Sequence, residues 1–90
     1  MKTIWKYNLE ITDEQFINIP EGAEILTIQI QKGKPVLWGL VNDKDKNETR
    51  KIRIFGTGIP IITDWSLKYI GTYQLLNGDL IGHVFEEIIK

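Results

Sequence analysis

The residues best equipped for binding chemistry fall in one part of the chain. Arg50, Lys51 and Arg53 lead along a strand-like stretch into Gly56-Thr57-Gly58, and Trp65 and Tyr69 follow soon after. A guanidinium matches phosphate with a planar fork of donors. Successive backbone N–H groups make an anion-binding nest when a glycine turns left-handed, and aromatic rings stack on bases. Together these features suit a nucleotide, and the expected ligand-binding residues are Arg50, Arg53, Gly56, Thr57, Gly58, Trp65 and Tyr69. The plainer reading of the two glycines is a turn that ends a strand. The spacing matches neither GxxxxGK[ST] nor GxGxxG. Pro60 drives Ile59 toward extended backbone, so no helix opens behind the glycines to offer its N-terminus to a phosphate.

Catalytic and metal chemistry find less to work with. His83 is the only histidine, Ser66 the only serine, and cysteine is absent. Nucleophilic catalysis of the Ser/His or Cys/His kind therefore lacks a partner, and thiolate zinc sites and disulfides are excluded. Glu86 and Glu87 are adjacent on a strand and point to opposite faces. Asp43-Lys44-Asp45-Lys46-Asn47 begins like a calcium loop, but Glu48 stands where the turn needs glycine and Ile54 where a bidentate glutamate is needed. That loop reads as solvated, and His83 as a strand histidine bonded to a neighbouring threonine or carbonyl. The expectation is a protein that is not an enzyme, with no catalytic residues, no metal and no cofactor.

The elements that position these residues follow from composition and alternation. Sixteen isoleucines against a single alanine favour sheet over helix. In residues 3–11 Trp5, Tyr7, Leu9 and Ile11 alternate with Lys6, Asn8 and Glu10, the pattern of a half-buried strand. A short strand over 16–20 closes a hairpin on it. Residues 24–31 place Leu26, Ile28 and Ile30 inward, and Lys32-Gly33-Lys34 turns the chain into 35–42, which is apolar on both faces and so covered on both. Ile52 and Ile54 point inward from 50–55. Asn77-Gly78 is a strong two-residue hairpin signal, pairing Leu75 with Leu80, Tyr73 with Gly82, Gly71 with Val84 and Ile70 with Phe85. The fold class is all-β: about seven short, mostly antiparallel strands in a small sandwich or partly open barrel, as one domain over residues 1–90.

A net charge of −1 argues against a long nucleic acid as partner, and no apolar run approaches the ~20 residues of a membrane span. The apolar surplus of Val36–Val41 and of the Ile70, Ile81 and Phe85 face calls for a homo-oligomer.

Several phrases, read in order, resemble an uncharacterised family of short proteins encoded by bacteriophages and prophages. They are MKTIWKY, PEGAEIL, LWGLV, IFGTG followed by Pro60, YIGTYQ and HVFE, and the likeness runs over about residues 1–87. Many members carry histidine where this chain has Ile59. The resemblance implies a phage-encoded accessory protein in the host bacterial cytoplasm. Some small phage proteins of this kind sequester nucleotide signals of host defence, and others block a host protein. The functional expectation is sequestration of a small anionic ligand, such as a nucleotide signal of host anti-phage defence, without turnover. The alternative is a protein–protein inhibitor or adaptor acting on a host protein, such as a defence protein.

Overall fold

The computed structural model describes residues 1–89 as seven strands. They are β1 (Lys2–Asn8), β2 (Glu14–Pro20), β3 (Glu24–Gln31), β4 (Lys34–Asn42), β5 (Asn47–Phe55), β6 (Leu67–Leu75) and β7 (Leu80–Glu87). Every pairing is antiparallel, in a three-stranded sheet ordered β1-β4-β3 and a four-stranded sheet ordered β2-β5-β7-β6. The two sheets pack as a sandwich-like all-β domain. Its core is Leu9, Ile17, Ile19, Ile28, Leu37, Val41, Ile52, Ile54, Tyr73 and Val84, with Ala23. β3 runs beside β6, close enough that a side chain on Gly71 would meet Ile28 at 3.5 Å.

The expected hairpin between residues 3–11 and 16–20 does not form. β1 pairs with β4 and β2 with β5, so consecutive strands lie in different sheets. The link between them is a polar turn rather than a ladder. The Gln15 side chain accepts from the Glu10 N–H at 3.0 Å and donates to the Glu10 carbonyl at 2.7 Å. Leu9, just before this turn, is buried, while Ile11 within it stands exposed.

β3 departs from the expected alternation through a bulge between Ile25 and Thr27, which leaves Leu26 exposed. Ile28 remains in the core, whereas Ile30 is 36% exposed near the strand's end. β4 is the middle strand of its sheet, and Val36, Leu37 and Val41 are each at most 1% exposed. One chain thus covers most of both faces of β4, and its apolar run supplies no surplus surface for a second copy. Gly39 leaves the space expected of it: a methyl there would meet Ile19 at 3.2 Å and Tyr7 at 3.6 Å.

The β6–β7 hairpin has the expected register from Leu75–Leu80 through Gly71–Val84. Asn77 and Gly78 both take positive φ, as a type I′ turn requires. Beyond Gly71 the register shifts, so Phe85 pairs with Tyr69 and not with Ile70.

Candidate functional site

β5 carries the first of the expected binding residues, and alternation along it separates them. Ile52 and Ile54 face the core, so Arg50 shares their side and Arg53 takes the other. Arg50 sits at the margin of the core in a bidentate pair with Glu86, Nε to Oε2 at 2.6 Å and Nη2 to Oε1 at 2.7 Å. Its Nη1 donates to the Ala23 carbonyl at 2.6 Å. The bond to Glu86 raises the Arg50 pKa further, against the opposing effect of burial. Within one chain the two arginines cannot grip the same phosphate.

Arg53 lies on the outer face of the four-stranded sheet. The register sets Glu14, Arg53, Phe85 and Tyr69 side by side across β2, β5, β7 and β6. Arg53 Nε donates to Glu87 at 2.5 Å, Nη1 meets Glu14 at 3.1 Å, and the guanidinium stacks 3.4 Å above the Trp65 ring. The Arg53 bond holds the Glu87 carboxyl below its ordinary 4.5, with the Arg53 and Lys51 charges adding to it against partial burial. Trp65 also meets Phe55, whose ring packs edge-on against Phe85, and Phe85 in turn packs against Tyr69. Arg and Trp are adjacent as expected, but two carboxylates from β2 and β7 complete the group.

Gly56-Thr57-Gly58 forms a β-turn closed by the Ile59 N–H on the Gly56 carbonyl at 3.3 Å, with Gly58 at φ +84°. A type II turn requires that sign at its third position, which makes glycine the natural residue there. Thr57 is tied down to the sheet: its Oγ1 lies 2.7 Å from His83 Nε2. The other ring nitrogen is 3.0 Å from Thr72 Oγ1, which lies 2.6 Å from the Tyr69 hydroxyl. A hydroxyl on an imidazole has the length of a nucleophile–base contact. Here the ring is oriented by a neutral hydroxyl rather than a carboxylate, and the contact is solvent-exposed. The chain Thr57–His83–Thr72–Tyr69 acts as a tether holding the turn against β6 and β7.

A cleft of about 620 Å³ opens beside that turn. Its lining is apolar at Phe55, Ile59, Pro60, Ile62 and Trp65 and acidic at Asp13 and Glu14, and Arg53 is its only cation among the described residues. Ile59 is 58% exposed and Ile62 54%, so this apolar lining is presented to solvent. Of the seven expected residues, Arg53, Gly56 and Trp65 line this cleft, while Arg50, Thr57, Gly58 and Tyr69 do not. Asp13 and Glu14 had no signal in the sequence, since they reach the cleft only through the β2–β5 pairing. A larger cation group, Lys6, Lys32 and Lys34, lines a separate cleft; the Lys-Gly-Lys spacing around a tight turn was its visible trace.

A family model described as a domain of unknown function (DUF7352) matches residues 1–90. The chain belongs to that family. No curated protein and no solved structure matches it.

Proposed function

We propose that this chain is a non-catalytic binding protein that holds a partner protein in the cleft beside Gly56–Gly58. The observation that carries the reading is the composition of the cleft. Its apolar wall sets the exposed Ile59, Pro60 and Ile62 beside the half-buried Trp65, its acidic groups are Asp13 and Glu14, and its guanidinium already bonds Glu14 and Glu87. Such a surface suits a segment that inserts an apolar side chain and carries a lysine or arginine beside it. A phosphate in the same place would face two carboxylates and compete with them for Arg53. In the phage-encoded setting implied by the sequence resemblance, the partner is a host protein in the bacterial cytoplasm.

Panning a random heptapeptide library on the purified protein tests this, with the Ile62→Asp variant as control. The expected enrichment is of peptides with an apolar residue next to a basic one, binding at least tenfold more weakly to Ile62→Asp at unchanged melting temperature. ATP titration of the same samples separates the sequestration reading. Saturable ATP binding that Ile62→Asp weakens, with no peptide enrichment, would return the cleft to a nucleotide.

A further inference from the structure

A second cleft, of about 650 Å³, lies between the end of β1 and the β3–β4 hairpin, on the three-stranded sheet. Lys6, Lys32 and Lys34 line it, together with Asn8 and Gln31, and Glu10 is its only carboxylate among the described residues. Three ammoniums facing one carboxylate is the reverse of the chain's overall balance of −1. The cations of β5 differ, although Lys68 on β6 has no carboxylate partner among the described residues either. Arg50, Lys51 and Arg53 each lie within 3.5 Å of a carboxylate, as does Lys46 in the loop before β5. Lys6, Lys32 and Lys34 pair with no carboxylate among the described residues. The one side-chain bond among these ammoniums is from Lys6 Nζ to the Gln31 amide oxygen at 2.8 Å. Uncompensated like charges around one concavity repel each other, and a multiply charged anion relieves that repulsion.

The turn carries a second, independent sign. Lys32 holds φ +52° and Gly33 φ +77°, the two left-handed positions of a type I′ hairpin. Asparagine or glycine takes the first of these positions with less strain than lysine. Lysine at that point aims a long cation from the hairpin tip at a cost in backbone energy.

We propose that this cleft binds a small, multiply charged phosphate compound, gripped by Lys6, Lys32 and Lys34 with the Asn8 amide as a polar neighbour. The site is separate from the cleft that takes the protein partner and does not depend on it. The recognition is electrostatic: phosphate oxygens accept from the ammoniums, and affinity falls as salt rises. The volume lies in the range of small-molecule sites, about 300–1,000 Å³, which suits a diphosphate or triphosphate group better than a polymer.

Isothermal titration with inorganic tripolyphosphate, orthophosphate and ATP at low and physiological salt is the test. The expected result is saturable one-to-one binding of tripolyphosphate, at least tenfold tighter than orthophosphate. The double variant Lys6→Gln/Lys34→Gln should lose at least tenfold in affinity, and Lys2→Gln/Lys44→Gln, which alters lysines outside the cleft, should lose less than twofold. Lys32→Asn should weaken binding while raising the melting temperature, because it relaxes the turn. ATP bound as tightly as tripolyphosphate makes the phosphate chain the whole ligand; tighter ATP binding extends the site to the nucleoside. Absence of saturable binding, or equal losses in the two double variants, would overturn the proposal. The heptapeptide panning is unaffected by either outcome, so the two readings fail separately.

Discussion

Arg53 does three jobs with one side chain, and replacing it should show all three. It bonds Glu87, meets Glu14 and stacks on Trp65, with its side chain only 11% exposed. Glu14 is half exposed, so its share is small after solvent screening; the Glu87 bond and the stack carry more. Arg53→Ala is expected to cost about 1–2 kcal/mol in urea unfolding. Arg53→Lys should recover less than half of that, since an ammonium has neither the fork nor the flat face. The loss has a pH signature. Glu87 releases its proton more readily folded than unfolded, so its contribution is fully present above the ordinary value of 4.5 and disappears as pH falls through the lowered one. The gap between the native protein and Arg53→Ala should be widest near neutrality and close in acid. A gap of constant size down the acid limb would mean that Glu87 is not the partner that matters.

At the level of elements, the β6–β7 hairpin is held by complementary sizes, and the tightest fit is Tyr73 over Gly82. Any Cβ added at Gly82 would run into the Tyr73 ring, which is itself buried. Gly82→Ala is therefore expected to cost about 1–3 kcal/mol as overpacking. In the double variant Gly82→Ala/Tyr73→Leu the added methyl enters space the ring has vacated, so the combined loss should fall well short of the sum. Additive losses by chemical denaturation would place the strain elsewhere. This hairpin was legible in the sequence because both of its determinants are local: Asn77-Gly78 fixes the turn, and large faces small at Tyr73–Gly82 and Gly71–Val84. The register shift at Ile70 was not legible. It sits where Gly71 lies against Ile28 of the other sheet, a contact that alternation along one strand cannot reveal. The β1–β2 hairpin was misread for the same reason, since nothing in 3–20 says that the partner of β1 is β4 and that of β2 is β5, both far along the chain. The candidate site divides similarly. Arg53, Gly56 and Trp65 are near in sequence and near in space, whereas Asp13, Glu14 and Glu87 arrive through sheet pairing. The separation of Arg50 from Arg53 was readable, because Ile52 and Ile54 already assign the even positions of β5 to the core.

For the whole molecule, the question is what the open side of the sandwich does. β3 and β6 approach each other on one flank, whereas β1 and β2 are edge strands that each pair on one side only. Two bonds fix the phase of the β1 edge: Asp43 N–H to the Met1 carbonyl at 3.1 Å, and Leu9 N–H to the Pro35 carbonyl at 3.0 Å. In an antiparallel ladder this directs the backbone groups of the odd residues to β4 and those of Lys2, Ile4, Lys6 and Asn8 outward. The β2 edge has the same arrangement, with the Glu21 N–H on Lys46 and Pro20 among the outward positions, where a missing N–H blunts pairing. β1 has no proline; its guards are Lys2 and Lys6, and Ile4 and Trp5 are 56% and 40% exposed between them. If the chain forms a homo-oligomer, the exposed Ile4 and Trp5 make this edge the place for it, joining two three-stranded sheets into one of six. Hydrogen exchange over a range of protein concentrations would then show the Ile4 and Lys6 amides becoming protected together with a doubling of mass. Ile4→Pro supplies the control. It removes an N–H that β4 does not use, so the domain should stay folded while dimerisation is lost. A species that keeps its doubled mass in Ile4→Pro, or amides that exchange freely at every concentration, would rule out this edge as the contact.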